Sequence, residues 1–370
     1  MLNILILDQK CWGDIMGVGA LPLIGSSYIK DDKLLQLTQY AFAGSNADTV
    51  NIYVDLSSVL SKIVTPNYDL SARCSDYEIA SGIINMIAHY RAFFLRKLRV
   101  NTRFFFVYSV NNSINNKTYF PMYNSTHNSN FTIYKDRFNM LVTNLSLVEK
   151  MVPYIPDASV TMIRQEPCTA MLHIMEVENS SYPNIVITKD PVTMQICTMY
   201  PNTVIYRPKK YKGEDTSFAI VPSNNGLYYF LADDRGCKKP TLNCEISPEL
   251  YSFVLSIIGV KSRDMNSLIS YTSIMKQLDI AISNNKIINA YNWDIRNIYE
   301  EFDDKTINTL VIHDIEKRFK ALDLRFQYGL YINSTDRYNY KGIQNLYDPV
   351  GFHEVCEEYF RECPIDVERM

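Results

Sequence analysis

The sequence reads Asn184-Ile-Val-Ile-Thr-Lys-Asp190-Pro-Val192-Thr-Met-Gln195 at the point that is most informative about the fold. The apolar, β-branched run from Ile185 to Thr188 predicts a short buried strand, and an acid, Asp190, follows two residues later. Predicted helices alternate with buried strands around this stretch, which indicates an α/β fold with a mainly parallel sheet. Ligands of such sheets bind beyond the carboxyl ends of the strands, so Asp190 lies where a site is expected.

Further segments extend this sheet. Asn51–Asp55 is a short run of β-forming residues and ends in an acid. Arg103–Val110 contains the continuous apolar run Phe104–Tyr108, as expected for a strand that is covered on both faces, and Val204–Tyr206 is predicted to be another strand. The spacing of apolar residues predicts helices at residues 76–98, 134–152 and 169–177.

The predicted domain organisation has three parts. Residues 1–48 form an N-terminal extension, residues 49–290 form the α/β domain with helices flanking the sheet, and residues 291–370 form a helical C-terminal region. Residues 216–231 predict an added β-hairpin that turns at Asn224-Asn-Gly226.

The chain is predicted to become helical from Ser247-Pro248. Serine is a favourable N-cap, and proline is a favourable first helical residue. By contrast, residues 111–132 are rich in Asn, Ser and Thr and show no period, which predicts a long loop.

The composition is that of an ordinary folded protein, with 370 residues, 47% hydrophobic and 21% charged. The formal charge of -3 gives no general attraction for nucleic acid, so such binding needs a local basic surface. Abundant Asn, Ile, Tyr and Lys suggest an AT-rich genome, as in phages and large DNA viruses.

No apolar run has the ~18 residues of a membrane span, no secretory signal opens the sequence, and the eight scattered cysteines suit a reducing compartment as free thiols. We therefore expect an intracellular protein of the host cytoplasm or the virion that is neither secreted nor bound to membranes.

The acids at the strand ends follow an order that resembles the PIN/FEN-like 5′-nuclease superfamily, which includes flap endonucleases and the 5′-nuclease domains of bacterial DNA polymerases. The resemblance covers roughly residues 50–290. Asp55 matches the first-strand Asp of the family, Glu166 matches its Glu before a helix, and Asp190 matches the first acid of its Asp-x-Asp pair. The resemblance implies that these three residues are the catalytic and metal-binding acids, with Mg²⁺ or Mn²⁺ as the cofactor of an active member.

Most other acids of the family are replaced. Ser109 stands at the second-strand Asp, Cys168 and Thr169 stand at the two acids after the Glu, and Val192 stands at the second acid of the pair. The last motif, Gly-Asp-x-x-Asp, reads Gly259-Val-Lys-Ser-Arg263. Because two divalent ions need several converging carboxylates, this erosion favours a vestigial site that holds no cofactor.

Basic residues at two places are candidate nucleic-acid contacts. Lys135 and Arg137 resemble the basic arch entry by which the family grips single-stranded ends. Lys209, Lys210 and Lys212 form a short cluster that contacts phosphate or is simply solvated. For Asp55 or Asp190 taken alone, the simplest interpretation is a carboxylate that caps the helix after a strand.

Three functions follow from these patterns. The leading hypothesis is a catalytically degenerate nuclease-like protein that serves as a nucleic-acid-binding or scaffolding subunit of a viral replication, transcription or virion assembly, with DNA or RNA and other viral proteins as partners. The first alternative is an active Mg²⁺- or Mn²⁺-dependent, structure-specific nuclease with a reduced carboxylate site. The second alternative is a purely structural protein that does not contact nucleic acid.

Overall fold

The computed structural model describes residues 46–56, 87, 90–109, 149–150, 152–163, 166–178, 181–188, 190–200, 202–211, 214–220, 222–223, 226–229, 244–246, 248–260, 265–270, 273–274, 276–277, 302–334, 340, 342–343 and 354. The predicted loop at residues 111–132 and most of the predicted N-terminal extension lie outside these residues.

A six-stranded sheet with the order β3-β2-β1-β4-β5-β6 forms the centre of the fold. Strands β1 to β5 all run parallel to one another, and β6 runs antiparallel to β5. This arrangement confirms the predicted α/β fold with a mainly parallel sheet. The strands are β1 Thr49–Asp55, β2 Asn101–Ser109, β3 Ala158–Ile163, β4 Asn184–Ile187, β5 Thr203–Tyr211 and β6 Glu214–Ile220.

The middle strands are buried on both faces, which explains their continuous apolar sequences. Every residue of β1 and β4 is buried, and Phe104, Phe105 and Phe106 of β2 are fully inaccessible. Tyr53 stacks on Phe105 with ring centroids 4.7 Å apart. Burial and then the nearby Glu178 carboxylate raise the pKa of Tyr53, so this phenol stays neutral inside the core.

Helices flank this sheet and form most of the described C-terminal part. Residues 90–98 are helical and lead into β2. The predicted helices at residues 169–177 and after Ser247 are both observed, the second beginning at Pro248. The labelled helices are α1 Pro167–Glu178, α2 Ile196–Met199, α3 Pro248–Ile258, α4 Asp304–Ile312, α5 Ile315–Leu322 and α6 Leu324–Ile332, and two 3-10 turns span Val152–Tyr154 and Pro191–Gln195.

Strand β3 is absent from the sequence-based prediction. It pairs with β2 at one end of the described sheet, and its segment Ala158-Ser-Val-Thr-Met-Ile163 alternates small polar and apolar residues. That alternation is the period of a strand, so the signal was present but weaker than the continuous apolar runs of β1, β2 and β4.

The predicted hairpin at residues 216–231 is paired differently from the expectation. Its first half belongs to β6, which pairs with β5 and so extends the main sheet. The hairpin itself joins the short strands β7 Pro222–Ser223 and β8 Gly226–Tyr229, and a third strand, β9 Cys244–Ile246, pairs with β8. The predicted turn falls between Ser223 and Gly226, with Asn224 and Asn225 themselves outside the described residues.

The described C-terminal helices share one apolar core with the sheet. Phe302 stacks on Phe253 of α3 at 6.2 Å, and Leu322 and Leu324 belong to the same buried cluster as Phe105. The buried core includes residues on both sides of residue 290. The domain boundary at that residue stays a prediction. None of the helices in the described part is long and apolar enough to span a membrane.

Candidate functional site

Asp55 and the Asp190 segment meet at the carboxyl end of β1 and β4 through one hydroxyl group. Asp55 is the last residue of β1, and its side chain is buried, with 2% of the residue exposed. The Thr188 hydroxyl donates to Asp55 Oδ2 at 2.9 Å and accepts the Asp190 backbone N–H at 3.1 Å. Thr188 therefore joins two of the predicted site residues, a role that the sequence-based assignment missed.

Asp190 caps the segment that follows it. Its Oδ1 accepts the backbone N–H of Val192 at 3.2 Å, and Pro191 occupies the first position of the 3-10 turn Pro191–Gln195. This geometry confirms the capping interpretation for Asp190. Asp55 accepts a hydrogen bond from the hydroxyl of Thr188, the residue that follows the neighbouring strand β4.

Glu166 lies at the start of α1, shortly after β3 ends. Its backbone carbonyl accepts the N–H groups of Thr169 and Ala170, and the residue is only 6% exposed. The N-terminus of a helix is a favourable place for a carboxylate, because the unpaired amides and the helix dipole carry partial positive charge. Helix α1 packs on β1, β2 and β3. Glu166 therefore lies in the helical layer, near the carboxyl end of β3.

Three positions at which the resemblance would place acids lie inside the protein. Val192, Cys168 and Thr169 are all buried, and the first two belong to the main apolar cluster. Cys168 and Cys197 form no disulfide, and burial raises the pKa of Cys197 to about 12, so that thiol stays protonated. Aliphatic and thiol groups supply no carboxylate oxygen for a hard divalent cation.

The structure links two of the three predicted acids. Asp55 is joined to Asp190 through Thr188. Among the described residues, which include Glu166, no three His, Cys, Asp or Glu side chains form a group that could hold a metal ion. Their assignment as metal ligands stays a prediction.

The segment that resembles the family's last acidic motif is held by a buried arginine. Arg318 of α5 is 4% exposed, and its guanidinium donates to Ser256 O at 2.8 Å and to Asn266 O at 2.6 Å. Burial lowers the pKa of Arg318 to about 10, so it remains charged at neutral pH. The sequence analysis missed this role, because nothing in the sequence distinguishes this Arg from others on amphipathic helices. Lys261 and Arg263 lie outside the described residues.

The predicted basic contacts fall in two groups. Lys209 and Lys210 lie in the part of β5 that continues past its last pair with β4, Ile187 with Tyr206. Lys135, Arg137 and Lys212 lie outside the described residues.

Replacing Thr188 by valine tests the link between the two acids. Thr188→Val keeps the shape of the side chain but removes the donor to Asp55 and the acceptor of the Asp190 N–H. We expect the free energy of unfolding to fall by about 1–3 kcal/mol, the usual cost of leaving a buried polar group without its partner. Urea denaturation of both proteins measures the difference.

Thr102→Val is the matched control, because Thr102 is also a buried strand residue and its hydroxyl makes no hydrogen bond within the described structure. Its removal is expected to be neutral or slightly stabilising, since a buried hydroxyl without a partner costs free energy. Equal losses for the two variants would contradict the role assigned to Thr188.

Comparison with known proteins gives a likeness of structure and none of sequence. No family model and no curated protein matches this sequence. The structure is similar to a bacteriophage T5 flap endonuclease solved as a pseudo-enzyme–product complex with DNA and metal ions, with a TM-score of 0.50, 9% identity, and coverage of 83% of this chain and 98% of that chain. Two weaker likenesses are the T5 5′-exonuclease with bound zinc, at TM-score 0.48, 9% identity and the same coverages, and the catalytic core of Rad2 with a DNA substrate, at TM-score 0.41, 11% identity and coverages of 84% and 92%.

Sequence identities this low are evidence about the fold alone. The conclusion about the fold is drawn from the similarity to the T5 flap endonuclease. Its alignment includes nearly the whole of that nuclease and most of this chain. The parallel order of β1 to β5 agrees with the fold that the resemblance of the strand-end acids implies. The chain therefore has the PIN/FEN-like nuclease fold.

Proposed function

We propose that this protein is a catalytically degenerate nuclease-fold protein that acts as a nucleic-acid-binding or scaffolding subunit of a viral replication, transcription or virion assembly. The arrangement of Asp55, Thr188 and Asp190 carries the proposal. Both acids accept direct hydrogen bonds, and Val192 is buried where a further acid would be needed.

The oxygen ligands that this site offers count against catalysis. A metal pair requires carboxylates that are free to bind both ions and still leave positions for phosphate and water. Here Thr188 uses one oxygen of Asp55, the Val192 amide uses one oxygen of Asp190, and the side chain of Val192 offers none. Restoring the family's arrangement would therefore need more than one added acid.

The fold and the local basic residues support nucleic-acid binding. The T5 flap endonuclease with the same fold is solved with DNA. Fold alone does not determine function, so the binding is assigned here to specific side chains, namely Lys135, Arg137, Lys209, Lys210 and Lys212. A local basic surface is needed because the whole chain carries a formal charge of -3.

A cleavage and binding assay tests the proposal. Labelled flap, single-stranded and duplex substrates of DNA and RNA are incubated with the wild type and Mn²⁺, and retention is measured over a range of salt concentrations. We expect no cleavage, together with retention that weakens as salt rises, because phosphate contacts release counterions. The control is Asp55→Asn with Asp190→Asn, which removes both charges and keeps the hydrogen-bond acceptors.

Two other outcomes are possible. Cleavage that is lost in the double variant would contradict the proposal and establish a reduced-site nuclease that uses Mg²⁺ or Mn²⁺. The absence of both cleavage and retention would contradict the nucleic-acid-binding role and direct the search to protein partners.

A further inference from the structure

A row of buried polar side chains crosses the sheet where β4 and β5 begin. The strand pairing places Asn51 of β1 beside Asn184 of β4, and Asn184 beside Thr203 of β5. All three residues are buried. Asn51 Nδ2 donates to Asn184 Oδ1 at 3.0 Å, and Asn184 Nδ2 donates to Thr203 Oγ1 at 3.3 Å. Three neighbouring strands are therefore linked through their side chains as well as through their backbones.

The apolar residues of β4 carry little information about its register. After Asn184 the strand consists of Ile-Val-Ile187, and its partners on β1 are the apolar run Ile52-Tyr-Val54. A shift of β4 along β1 would place apolar side chains against apolar side chains again. It would also separate the buried amides of Asn51 and Asn184, and a buried polar group without its partner costs free energy. The polar row therefore distinguishes the observed register from the shifted ones.

The same register determines which residues meet at the candidate site. Asp55 lies four residues after Asn51, and Thr188 lies four residues after Asn184. At about 3.3 Å per residue the two pairs are roughly 13 Å apart, and an even spacing keeps them on one face of the sheet. The Thr188 hydroxyl reaches Asp55 Oδ2 because β1 and β4 are aligned in this way.

The row is poorly suited to adding stability. Asn51 Oδ1 is buried and accepts no hydrogen bond within the described structure. Replacing both partners of a buried hydrogen bond by apolar groups of the same shape is often neutral or stabilising, so apolar residues would serve the core at least as well. A buried Asn that fixes one alignment at some cost in stability is known from coiled coils, where it specifies register.

We propose that the row of Asn51, Asn184 and Thr203 sets the register of β4 between β1 and β5 and so positions Thr188 opposite Asp55. The three are positioning residues, because they act on the candidate site through the alignment of the strands. This inference concerns how the site is built and does not depend on the proposed nucleic-acid binding.

A double-mutant cycle tests this assignment. In the row variant, Asn51→Leu, Asn184→Leu and Thr203→Val replace the three polar side chains by apolar ones of similar shape. Thr188→Val is then made in the wild type and in the row variant, and urea denaturation gives the equilibrium constant for unfolding of all four proteins. Substitutions more than about 10 Å apart without shared partners usually have additive effects on stability. A row with a merely structural role would therefore leave the effect of Thr188→Val unchanged.

We expect Thr188→Val to increase the equilibrium constant for unfolding roughly 5- to 160-fold in the wild type, as the loss of a buried hydrogen-bond partner does. In the row variant it is expected to change the constant by less than about twofold, the usual scatter of additive effects, because Thr188 no longer lies opposite Asp55. Thr102→Val is the control background. Thr102 is a buried strand residue outside the row, so Thr188→Val is expected to keep its full effect there.

Asn51→Leu alone is a milder background, which removes the bond between β1 and β4 and retains that between Asn184 and Thr203. The effect of Thr188→Val is expected to shrink there too, so this variant decides the matter if the row variant does not fold. An effect as large as in the wild type, in the row variant or in Asn51→Leu, would overturn the register assignment. So would a Thr188→Val substitution without effect in the wild type, because the register would then position no link to Asp55.

Discussion

Gly259→Ala is expected to lower the free energy of unfolding by about 2–5 kcal/mol. Gly259 has a φ of +75°, a left-handed conformation that costs an L-residue roughly 1–2 kcal/mol. An added Cβ would lie 2.3 Å from Met265 O and within 2.7 Å of backbone atoms of Asn266. Because these are backbone atoms, the clash adds an overpacking cost of about 1–3 kcal/mol. Urea denaturation monitored by circular dichroism measures the loss.

Gly329→Ala provides the control within the same protein. Gly329 lies inside α6, and nothing lies within 4 Å of the Cβ that alanine would add. This substitution is expected to stabilise the protein by about 0.5–1 kcal/mol, since glycine weakens a helix interior relative to alanine. If Gly259→Ala also stabilised the protein, the result would contradict the left-handed conformation and the close backbone contacts of Gly259.

The Gly259 result bears on the candidate site, because this glycine begins the segment that resembles the family's last acidic motif. Arg318 holds the same segment through the carbonyls of Ser256 and Asn266. A large loss would show that the backbone shape of this segment contributes to the stability of the protein.

Gln195→Ala is expected to lower the free energy of unfolding by about 2–6 kcal/mol. Gln195 is buried at the end of the 3-10 turn, where its Nε2 donates to Leu322 O and its Oε1 accepts the Leu324 N–H, both at 2.8 Å. Alanine leaves a buried carbonyl and a buried amide without this partner, and each costs roughly 1–3 kcal/mol. Chemical denaturation again provides the measurement.

Gln327→Ala is the control for Gln195→Ala. Its Nε2 makes one partly buried hydrogen bond to Lys320 O at 2.6 Å, so the expected loss is only about 1 kcal/mol. A Gln195→Ala protein as stable as Gln327→Ala would show that Gln195 does not hold the C-terminal helices to the segment after Asp190. The expected result would instead show that those helices help to hold the segment after Asp190 in place.

The main elements of the fold could be predicted because their signals are local. Continuous apolar runs predicted β1, β2 and β4, and helical spacing predicted α1, since each pattern reports burial along one segment. The weaker alternation of polar and apolar residues in β3 was not recognised as a strand. The pairing of β6 with β5 was not predicted, because the sequence signals of a hairpin do not show which neighbouring strand a segment pairs with.

The sequence by itself determined the α/β fold class and the placement of Asp55 and Asp190 after strands, because strand ends and turns are encoded in short segments. Only the tertiary structure decided what those acids contact. Thr188 lies 133 residues from Asp55 along the chain, Gln195 lies 129 residues from Leu324, and Arg318 lies 62 residues from Ser256. Such partners are brought together by burial of the shared core, and no local pattern of residues specifies them.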